Sequence, residues 1–379
     1  MKRKLMAVIL AAGLAVSMAG CSGGAPAPQG SSDSAEGETV EDTAEMGEES
    51  GGGVETDIVV SDKEIQAAAE NSKDWEKEFS EEYDISGDEE FTWGYIDMGF
   101  EDTFTTKIRN TFVKYCKQNF PNVKVLEADG EMDANIQLQL AENFIAQGVD
   151  CIILDPTDAD GCVGIVDTCM AEGVPLVAVN AVIHSDHLEK EVGFVGSSNY
   201  EAGEIQGQWL IDNVDDSETV NLCYQRGTEG YDHTTQRYNG LFDTLDDAKY
   251  NYELKADLIG DYMRDIAMTN AEDWVTSFGN EIQVVACAND EMAMGSLQAY
   301  QAADLAKEIK FLGIDANQDC LQEVKNGNVA CTVFQNAMGQ AKWTAVSAYD
   351  ACINGSKETA SFSIPFEKVD QSNVDDYLD

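Results

Sequence analysis

Basic side chains are scarce in this sequence. Its 379 residues include 23 Lys and Arg against 71 Asp and Glu, which gives a formal net charge of -48. The basic residues are spread along the chain and form no patch, so the protein would repel nucleic-acid phosphates and anionic membrane surfaces. The composition therefore excludes DNA or RNA as a partner.

Signature motifs of enzymes are also missing. The sequence has no P-loop, no GxSxG elbow and no GxGxxG after a strand. Its only clustered histidines, His184 and His187, lack further residues at metal-ligand spacing, which favours an exposed loop over a metal site. We expect neither an enzyme nor a bound cofactor or metal.

None of the ten cysteines forms a CxxC pair, which argues against zinc-ribbon and thioredoxin-like proteins. Nine cysteines remain after Cys21, and an odd number cannot pair completely within one chain. Cys151, Cys223, Cys287 and Cys331 lie in apolar runs, where a thiol behaves as a small hydrophobic group. Buried free thiols are favoured over a disulfide framework, which a core of this size does not need.

The N-terminus has the pattern of an export signal. Three basic residues, Lys2 to Lys4, precede an apolar run from Leu5 to Val16 that is too short to favour a membrane span. The ending from Met18 to Cys21 resembles the bacterial lipobox, which implies that Cys21 becomes the lipidated first residue. We therefore predict a lipoprotein signal peptide at residues 1–20 and an extracytoplasmic protein anchored to the cell membrane. A plain cleaved signal with an incidental cysteine is the alternative.

Residues 21–60 are predicted to form a lipidated, acidic, disordered linker. From Ser22 to Val60 the chain is mainly Gly, Ser, Pro, Ala, Glu and Asp, with ten acidic residues and no Lys or Arg. Residues 61–90 stay acidic, and a short docked helix and continued disorder both remain open for them. The helix is favoured by near-helical spacing of Ile65, Ala68, Ala69, Trp75 and Phe79.

After Phe91 the sequence alternates between β-rich runs and stretches with helical spacing. The runs are FTWGYI, VKVLEA, CIILD and PLVAVN in a first series, and VNLCYQ, YELKADL, IQVVACA, IKFLGI and VACTVF in a second. Such alternation is typical of parallel βαβ units. We predict an α/β fold with two Rossmann-like, doubly wound lobes, in which ligands bind beyond the carboxyl ends of the strands.

Polar side chains follow nearly every predicted strand. They are Asp97, Asp102, Asp155, Asp158, Asn180, Arg237, Asn289, Asp290, Asp315 and Gln335. Carboxylates, carboxamides and a guanidinium suit a polyhydroxylated ligand, because each hydroxyl both donates and accepts a hydrogen bond. The alternative is that Asp and Asn cap the following helices, which weighs more for Asp155, Asp158 and Asp290 than for Asp315.

Several stretches resemble the type I periplasmic sugar-binding proteins, the substrate-binding lipoproteins of ABC transporters. They are GYIDMGFEDTF, CIILDPTDADG, VPLVAVN, VGSSNYEAGEIQG, ANDEMAMGSLQAY, FLGIDANQDCLQEVKNG and CTVFQNAMGQA. The resemblance is nearer to galactose/glucose-binding than to ribose-binding members. It implies an N-terminal lobe of residues 91–196 and 337–364 and a C-terminal lobe of residues 197–336 and 365–379. Three segments would cross between them, near residues 195–197, 335–337 and 363–366.

The same resemblance implies ten ligand-binding residues. They are Asp102, Phe104, Asn180, Tyr231, His233, Arg237, Tyr262, Asn289, Asp315 and Gln335. Phe104 and Tyr262 would cover the two faces of a sugar ring, and charged partners such as Asp315 would make the stronger hydrogen bonds. Tyr231 and His233 stand where those relatives have a histidine and an aspartate, which leaves the exact sugar open.

The implied function is capture of a galactose- or glucose-like monosaccharide by a lipid-anchored monomer and delivery to the permease of an ABC importer. The calcium loop of some relatives is missing around Asn213 to Glu218, so no structural calcium is expected. A sensor that presents the sugar to a chemoreceptor or membrane kinase, or a binder of another polyhydroxylated ligand, remains an alternative. The sugar-responsive repressors are excluded because the N-terminus is a signal and not a helix-turn-helix.

Overall fold

The computed structural model describes residues 58–71, 79–80, 89–354 and 359–378. The predicted signal peptide at residues 1–20, the lipidation site Cys21, most of the linker 21–60 and Trp75 lie outside these residues. All of the described residues belong to one structural unit, Ser50–Asp379.

The first lobe is built on a parallel six-stranded sheet with the order β11-β5-β4-β3-β1-β2. Its strands are β1 (Phe91–Asp97), β2 (Val123–Asp129), β3 (Cys151–Leu154), β4 (Leu176–Asn180), β5 (Gly193–Gly196) and β11 (Phe362–Ser363). Its helices are α2 (Thr103–Asn119), α3 (Ala134–Gln147), α4 (Val163–Glu172) and α10 (Ala337–Asn354).

The second lobe has a six-stranded sheet with the corresponding order β12-β10-β9-β8-β6-β7. Its strands are β6 (Val220–Arg226), β7 (Tyr252–Ile259), β8 (Val284–Cys287), β9 (Lys310–Leu312), β10 (Cys331–Phe334) and β12 (Glu367–Asp370). Its helices are α5 (Asn199–Asn213), α6 (Asp232–Ala248), α7 (Arg264–Phe278), α8 (Asp290–Ala302) and α9 (Gln318–Asn326). The edge strand β12 pairs antiparallel with β10, and the other pairs are parallel.

The predicted fold class, two doubly wound α/β lobes, is confirmed. Strands β3 and β8 are apolar along their length and buried at every residue, as expected where helices cover both faces of a parallel sheet. Helix α3 shows how local sequence sets the helix ends. Asp133 accepts hydrogen bonds from the amides of Asn135 and Ile136 at its start, and Gly148 ends it with a φ of 77°.

The chain passes between the two sheets in three short segments. They join β5 to α5, β10 to α10, and β11 to β12. These segments begin after Gly196, Phe334 and Ser363. The carboxyl ends of the parallel strands and the crossing segments together define where a ligand site can form.

A helix, α1 (Asp62–Asn71), occupies part of the acidic segment for which helix and disorder were both open. Two residues of the predicted linker, Ile58 and Val60, contact the first lobe. Val60 is buried, and the backbone carbonyl of Ile58 accepts a hydrogen bond from Asn110 of α2 at 3.0 Å. The apolar Val60 side chain packs in the first-lobe core.

All nine cysteines after Cys21 are free thiols, and only Cys352 is not fully buried. This agrees with the buried free thiols that the sequence favours over a disulfide framework. Within the described part of the chain, no helix combines the length and apolarity needed to cross a membrane.

Candidate functional site

A cavity of about 700 Å³ lies between the carboxyl ends of the two sheets. All ten residues predicted as ligand contacts line it. Its wall is formed by Met98, Glu101, Asp102, Thr103, Phe104, Thr105, Met132, Asn180, Asn199, Thr228, Tyr231, His233, Arg237, Asp261, Tyr262, Met263, Arg264, Asp265, Asn289, Glu291, Asp315, Asn317 and Gln335. The volume is within the range of sites for small organic ligands.

The first lobe contributes three of the predicted residues. Asp102 caps α2, because its Oδ1 accepts a hydrogen bond from the Thr105 amide at 2.8 Å. Phe104, on the first turn of the same helix, is 7% exposed and presents its ring to the cavity. Asn180 ends β4 with a φ of 66°. Asp102 therefore caps helix α2 and also lines the cavity.

Arg237 is the most extensively bonded residue of the second-lobe wall. Its Nε donates to Asn199 at 2.9 Å, its Nη1 to the carbonyl of Ala288 at 2.6 Å, and its Nη2 to Gln335 Oε1 at 3.1 Å. A guanidinium has more N–H donors than these three acceptors use, so it can still donate into the cavity. The three bonds fix the plane of the group in advance of any ligand.

Asp315 supplies a buried carboxylate to the same wall. It is 4% exposed, and its backbone has a φ of 123°, outside the usual range for a side-chain-bearing residue. The nearest cation is Arg237, whose Nη1 lies 4.0 Å from Asp315 Oδ1. Burial raises the pKa of Asp315 well above its ordinary value, and the nearby Arg237 acts in the opposite direction. A buried carboxylate of this kind is stabilised by any ligand that donates hydrogen bonds to it.

Three rings of the second lobe lie in sequence along the cavity. The His233 ring centroid is 5.2 Å from that of Tyr231 and 5.1 Å from that of Tyr262. The Tyr262 hydroxyl and Thr234 Oγ1 are hydrogen-bonded at 2.8 Å. Burial, assisted by Arg237, lowers the pKa of His233 to about 3, so its imidazole is neutral near pH 7. The rings form an apolar surface with polar edges, which suits a sugar-like ligand.

A glycine makes the Tyr262 position possible. A β-carbon added to Gly227 would lie 1.9 Å from Cζ of Tyr262. The ring therefore packs directly on the backbone that follows β6. Any larger residue at position 227 would displace the ring.

Gln335 connects the two walls. Its Nε2 donates to Asn180 Oδ1 at 3.0 Å, while its Oε1 accepts from Arg237. Asn180 in turn donates to Asp155 at 3.3 Å. The carboxamide lies in the segment between β10 and α10 and links a residue of each lobe, so its position depends on both.

The capping alternative holds for some of the polar residues that follow strands. Asn289 caps α8 by accepting from the Met292 amide at 2.9 Å, yet it also lines the cavity and donates to the Tyr262 carbonyl. Asp290 is fully committed elsewhere, because it accepts from Thr332 and from the Asn317 amide.

The remaining strand-end acids are structural as well. Asp97 pairs with Arg109 at 2.9 Å, Asp158 accepts from the Gly161 amide, and Asp155 is buried. Neither Asp97 nor Asp155 lines the cavity, so these acids support the loops around it.

Several wall residues were not anticipated from the sequence. Asn199, at the start of α5, lines the cavity and orients Arg237, while Thr234, which is not itself part of the wall, is hydrogen-bonded to the hydroxyl of Tyr262. Asn199 belongs to the stretch VGSSNYEAGEIQG, and its place just after a crossing segment is a signal that could have identified it. Met132 and Met263 carried no such signal, because their positions depend on backbone turns.

The clustered histidines lie outside the cavity. His184 Nδ1 is 2.9 Å from Asp160, and its Nε2 is 3.7 Å from Asp232 of the second lobe. His187 pairs with Glu191. Among the residues that the structure describes, no group of three or more His, Cys, Asp or Glu side chains is arranged to hold a metal ion.

Residues 95–357 match the family profile of the periplasmic binding protein domain. The chain is 30% identical over 284 residues to a Rhizobium meliloti relative with the provisional name of a rhizopine-binding protein, covering 73% of this chain and 89% of that one. It is 28% identical to the ribose import binding protein RbsB of Bacillus subtilis, with 73% and 87% covered. A solute-binding protein of an ABC transporter from Bacillus halodurans, solved with bound myo-inositol, has a TM-score of 0.70 and 27% identity over 78% of this chain and 98% of that one.

Proposed function

Because the chain belongs to the periplasmic binding protein family, we propose that it captures a monosaccharide or a polyol of similar size outside the cell and delivers it to an ABC importer. Like its family, it is a binding protein and not an enzyme. The observation that carries the proposal is the shared cavity, in which the buried carboxylate of Asp315 faces aromatic rings and carboxamides from both lobes.

The proposed ligand class is broader than the galactose- or glucose-like sugar expected from the sequence. The relatives reported above are named for ribose and rhizopine, and the solved neighbour holds myo-inositol. Tyr231 and His233, which depart from the galactose/glucose pattern, support a different arrangement of hydroxyl partners. We therefore favour pentoses and inositol-like polyols over galactose and glucose.

A ligand in this cavity would contact both lobes at once. Asp102 and Phe104 face it from the first lobe, and Arg237 and Asp315 from the second. Ligand binding favours the closed arrangement only through contacts that the open arrangement lacks, which here are the bridging ones. An importer that recognises the closed arrangement would then bind the ligand-bound form of the protein in preference to the free form.

The proposal is tested by thermal unfolding of the full-length protein with ribose, allose, galactose, glucose, xylitol and myo-inositol in turn. A true ligand at 100 times its dissociation constant should stabilise the folded state by about 2.7 kcal/mol. At the same concentration of the same compound, the Asp315→Ala variant should gain less than about 1 kcal/mol. If no compound of the panel stabilises the wild-type protein, the proposed function is wrong.

We further propose that the protein is a monomer anchored to the membrane through lipid on Cys21, with residues 21–60 as a flexible tether. The support is the lipobox-like sequence before Cys21 and the acidic, glycine-rich composition after it. Cys21→Ser should release the protein or leave its signal uncleaved, as read by membrane fractionation and by labelling with a fatty acid. Continued lipid labelling of the variant would contradict this proposal.

A further inference from the structure

Helix α1 lies outside the part of the chain that matches the family profile, which begins at residue 95. Its start is fixed locally, because Ser61 Oγ accepts a hydrogen bond from the Glu64 amide at 3.1 Å and so caps the first turn. The chain therefore carries an ordered helix in addition to its two lobes.

The residues just before α1 are fixed to helix α2 of the first lobe. The Ile58 carbonyl accepts a hydrogen bond from Asn110 at 3.0 Å, and the Val60 amide donates to Thr111 Oγ1 at 3.3 Å. The Val60 side chain is buried in the first-lobe core. These contacts set where α1 begins on the surface of the first lobe.

A buried ion pair holds α1 itself to the same helix. Glu64 Oε1 lies 3.3 Å from Lys107 Nζ, and the two side chains are 4% and 8% exposed. Lys107 Nζ is also 6.0 Å from the centroid of the Phe104 ring, which lines the cavity. Removal of one partner of a buried pair leaves an uncompensated charge, so α1 is held firmly to the first lobe.

The next turn of α1 packs on the second lobe. Ala68 is 4% exposed and belongs to a core cluster whose other buried members, Val374 and Leu378 among them, all come from the second lobe. Helix α1 also lies against the short 3₁₀ helix Val374–Asp376, near the C-terminus. One helix of ten residues therefore contacts both lobes.

The lobes also contact each other directly beside the cavity. The Tyr231 hydroxyl lies 3.8 Å from Met132 Sδ, and His184 Nε2 lies 3.7 Å from Asp232. This arrangement is closed. If the lobes rotated apart about the crossing segments, the surfaces under α1 would shift relative to each other, and a rigid helix could not stay packed on both.

We propose that α1 is a strap that joins the two lobes and stabilises their closed arrangement. Glu64 and Lys107 hold the strap to the first lobe, and Ala68 makes its contact with the second. Contacts that exist only in the closed arrangement favour it, and a larger closed population raises the apparent ligand affinity. The strap therefore makes a segment outside the two lobes a determinant of ligand affinity, which goes beyond the proposed function.

The first test breaks the second-lobe contact alone. Ala68→Glu places a long charged side chain where α1 meets the second lobe and leaves the first-lobe anchor intact. Gln66→Glu adds the same charge at an exposed position of the same helix and is the matched control. Small-angle X-ray scattering of the ligand-free, full-length proteins should give a larger radius of gyration for Ala68→Glu than for the wild type and Gln66→Glu.

Ligand affinity gives the second readout, by titration calorimetry with ribose and with myo-inositol. A compound that binds the wild type should bind Ala68→Glu about fivefold more weakly, since burial of one methyl group is lost, while Gln66→Glu should stay within about twofold. Thermal unfolding without ligand checks that each variant is folded. If Ala68→Glu is unfolded, Ala68→Gln makes the same test without the charge.

A double variant distinguishes a strap from two separate structural contacts. Glu64→Gln removes the ion pair, so it should release the other end of α1 and also weaken binding about fivefold. A strap acts only while both ends are attached. Glu64→Gln combined with Ala68→Glu should therefore lose about fivefold, and not the roughly 25-fold expected from independent effects.

Three outcomes would overturn the inference. In the first, Ala68→Glu matches Gln66→Glu in both scattering and affinity. In the second, Ala68→Glu is more compact or binds more tightly, which would mean that α1 holds the lobes apart. In the third, the double variant loses the full product of the two single effects. If neither ribose nor myo-inositol binds the wild type, the ligand class favoured above is wrong, and the scattering comparison still decides the inference.

Discussion

The two lobes carry the same turn after their second strands but build unequal walls from it. In the first lobe Glu131 and Met132 have φ values of 50° and 55°, and in the second lobe Asp261 and Tyr262 have 52° and 61°. Each turn places its second residue on the cavity wall. The same backbone therefore presents a flexible thioether from one lobe and a fixed phenol ring from the other.

The two lobes also differ in how the protein holds the polar groups that line the cavity. In the second lobe Arg237 is held by three acceptors, and Tyr262 by Thr234. In the first lobe the cavity groups are a helix cap, Asp102, and the last residue of β4, Asn180. The side chain of Arg237 is hydrogen-bonded to three protein partners, against one for Asp102 and two for Asn180, so the second lobe carries the more preorganised half-site. Preorganised groups lose less entropy on binding, so variants of the second lobe should cost more affinity.

The largest effect is expected at the centre of the second-lobe wall. Arg237→Ala leaves three buried acceptors without a donor and Asp315 without its nearest cation, so the free energy of unfolding should fall by about 3–5 kcal/mol. Arg226→Ala is the control, because Arg226 pairs with Asp257 at a partly exposed position and should cost about 1 kcal/mol or less. Equal urea-unfolding curves for the two variants would contradict a preorganised second lobe.

Asp315→Ala should have the next largest effect, measured as ligand affinity. Removal of the buried carboxylate leaves the ligand's donors unpaired at a cost of about 2–4 kcal/mol, or roughly 30-fold to 1000-fold in the dissociation constant. The first-lobe counterpart is Asn180→Ala, at the end of the corresponding strand, and it should cost only about tenfold. The measurement is titration calorimetry with the tightest-binding ligand of the panel. A greater loss of affinity in Asn180→Ala than in Asp315→Ala would mean that the first lobe, and not the second, contributes more to binding.

Asp102→Ala separates the two roles of a first-lobe acid. Loss of the cap of α2 should lower the free energy of unfolding by about 1 kcal/mol, and loss of the facing carboxylate should weaken binding about tenfold. Asp133→Ala removes the comparable cap of α3, outside the cavity, and should cost similar stability with unchanged affinity. If both variants bind ligand like the wild type, Asp102 is a helix cap alone.

The pH-dependent effect concerns two ring residues at matching positions, Phe104 and His233, each the second residue of the helix after the first strand of its lobe. Only His233 can titrate. Burial keeps its pKa at about 3, whereas the unfolded chain takes up the proton near pH 6.5. Between these values the unfolded state binds more protons, so this residue lowers stability as the pH falls, by up to about 1.4 kcal/mol per pH unit.

His233→Gln removes this dependence. From pH 7 to pH 5, urea unfolding of the wild type should therefore lose stability relative to the variant. Asp97 and Asp290, whose pKa values burial raises to about 7, give the opposite trend, and they are present in both proteins, so their contribution cancels. Parallel stability profiles would mean that the ring is not held neutral. His233→Ala should weaken binding less than Asp315→Ala and change the ranking of the polyols.

Strand-end positions made the cavity residues predictable, because parallel strands bring their carboxyl ends to one edge. Asp315 and Asn289 could be named in this way, since each follows an apolar run. The roles of neighbouring acids could not be distinguished. Asp290 resembles its neighbour Asn289 in sequence, yet its carboxylate is used by Thr332 and Asn317. Which acid faces a ligand depends on partners far along the chain.

By itself the sequence determined the α/β alternation and the two-lobe fold class, because hydrophobic periodicity and helix caps act over a few residues. Only the tertiary structure decided which hydrogen bonds connect the residues of the cavity wall. Gln335 accepts from Arg237, 98 positions away, and donates to Asn180, 155 positions away. No local pattern encodes such bonds, since they form only after both sheets have folded and the crossing segments have set their separation.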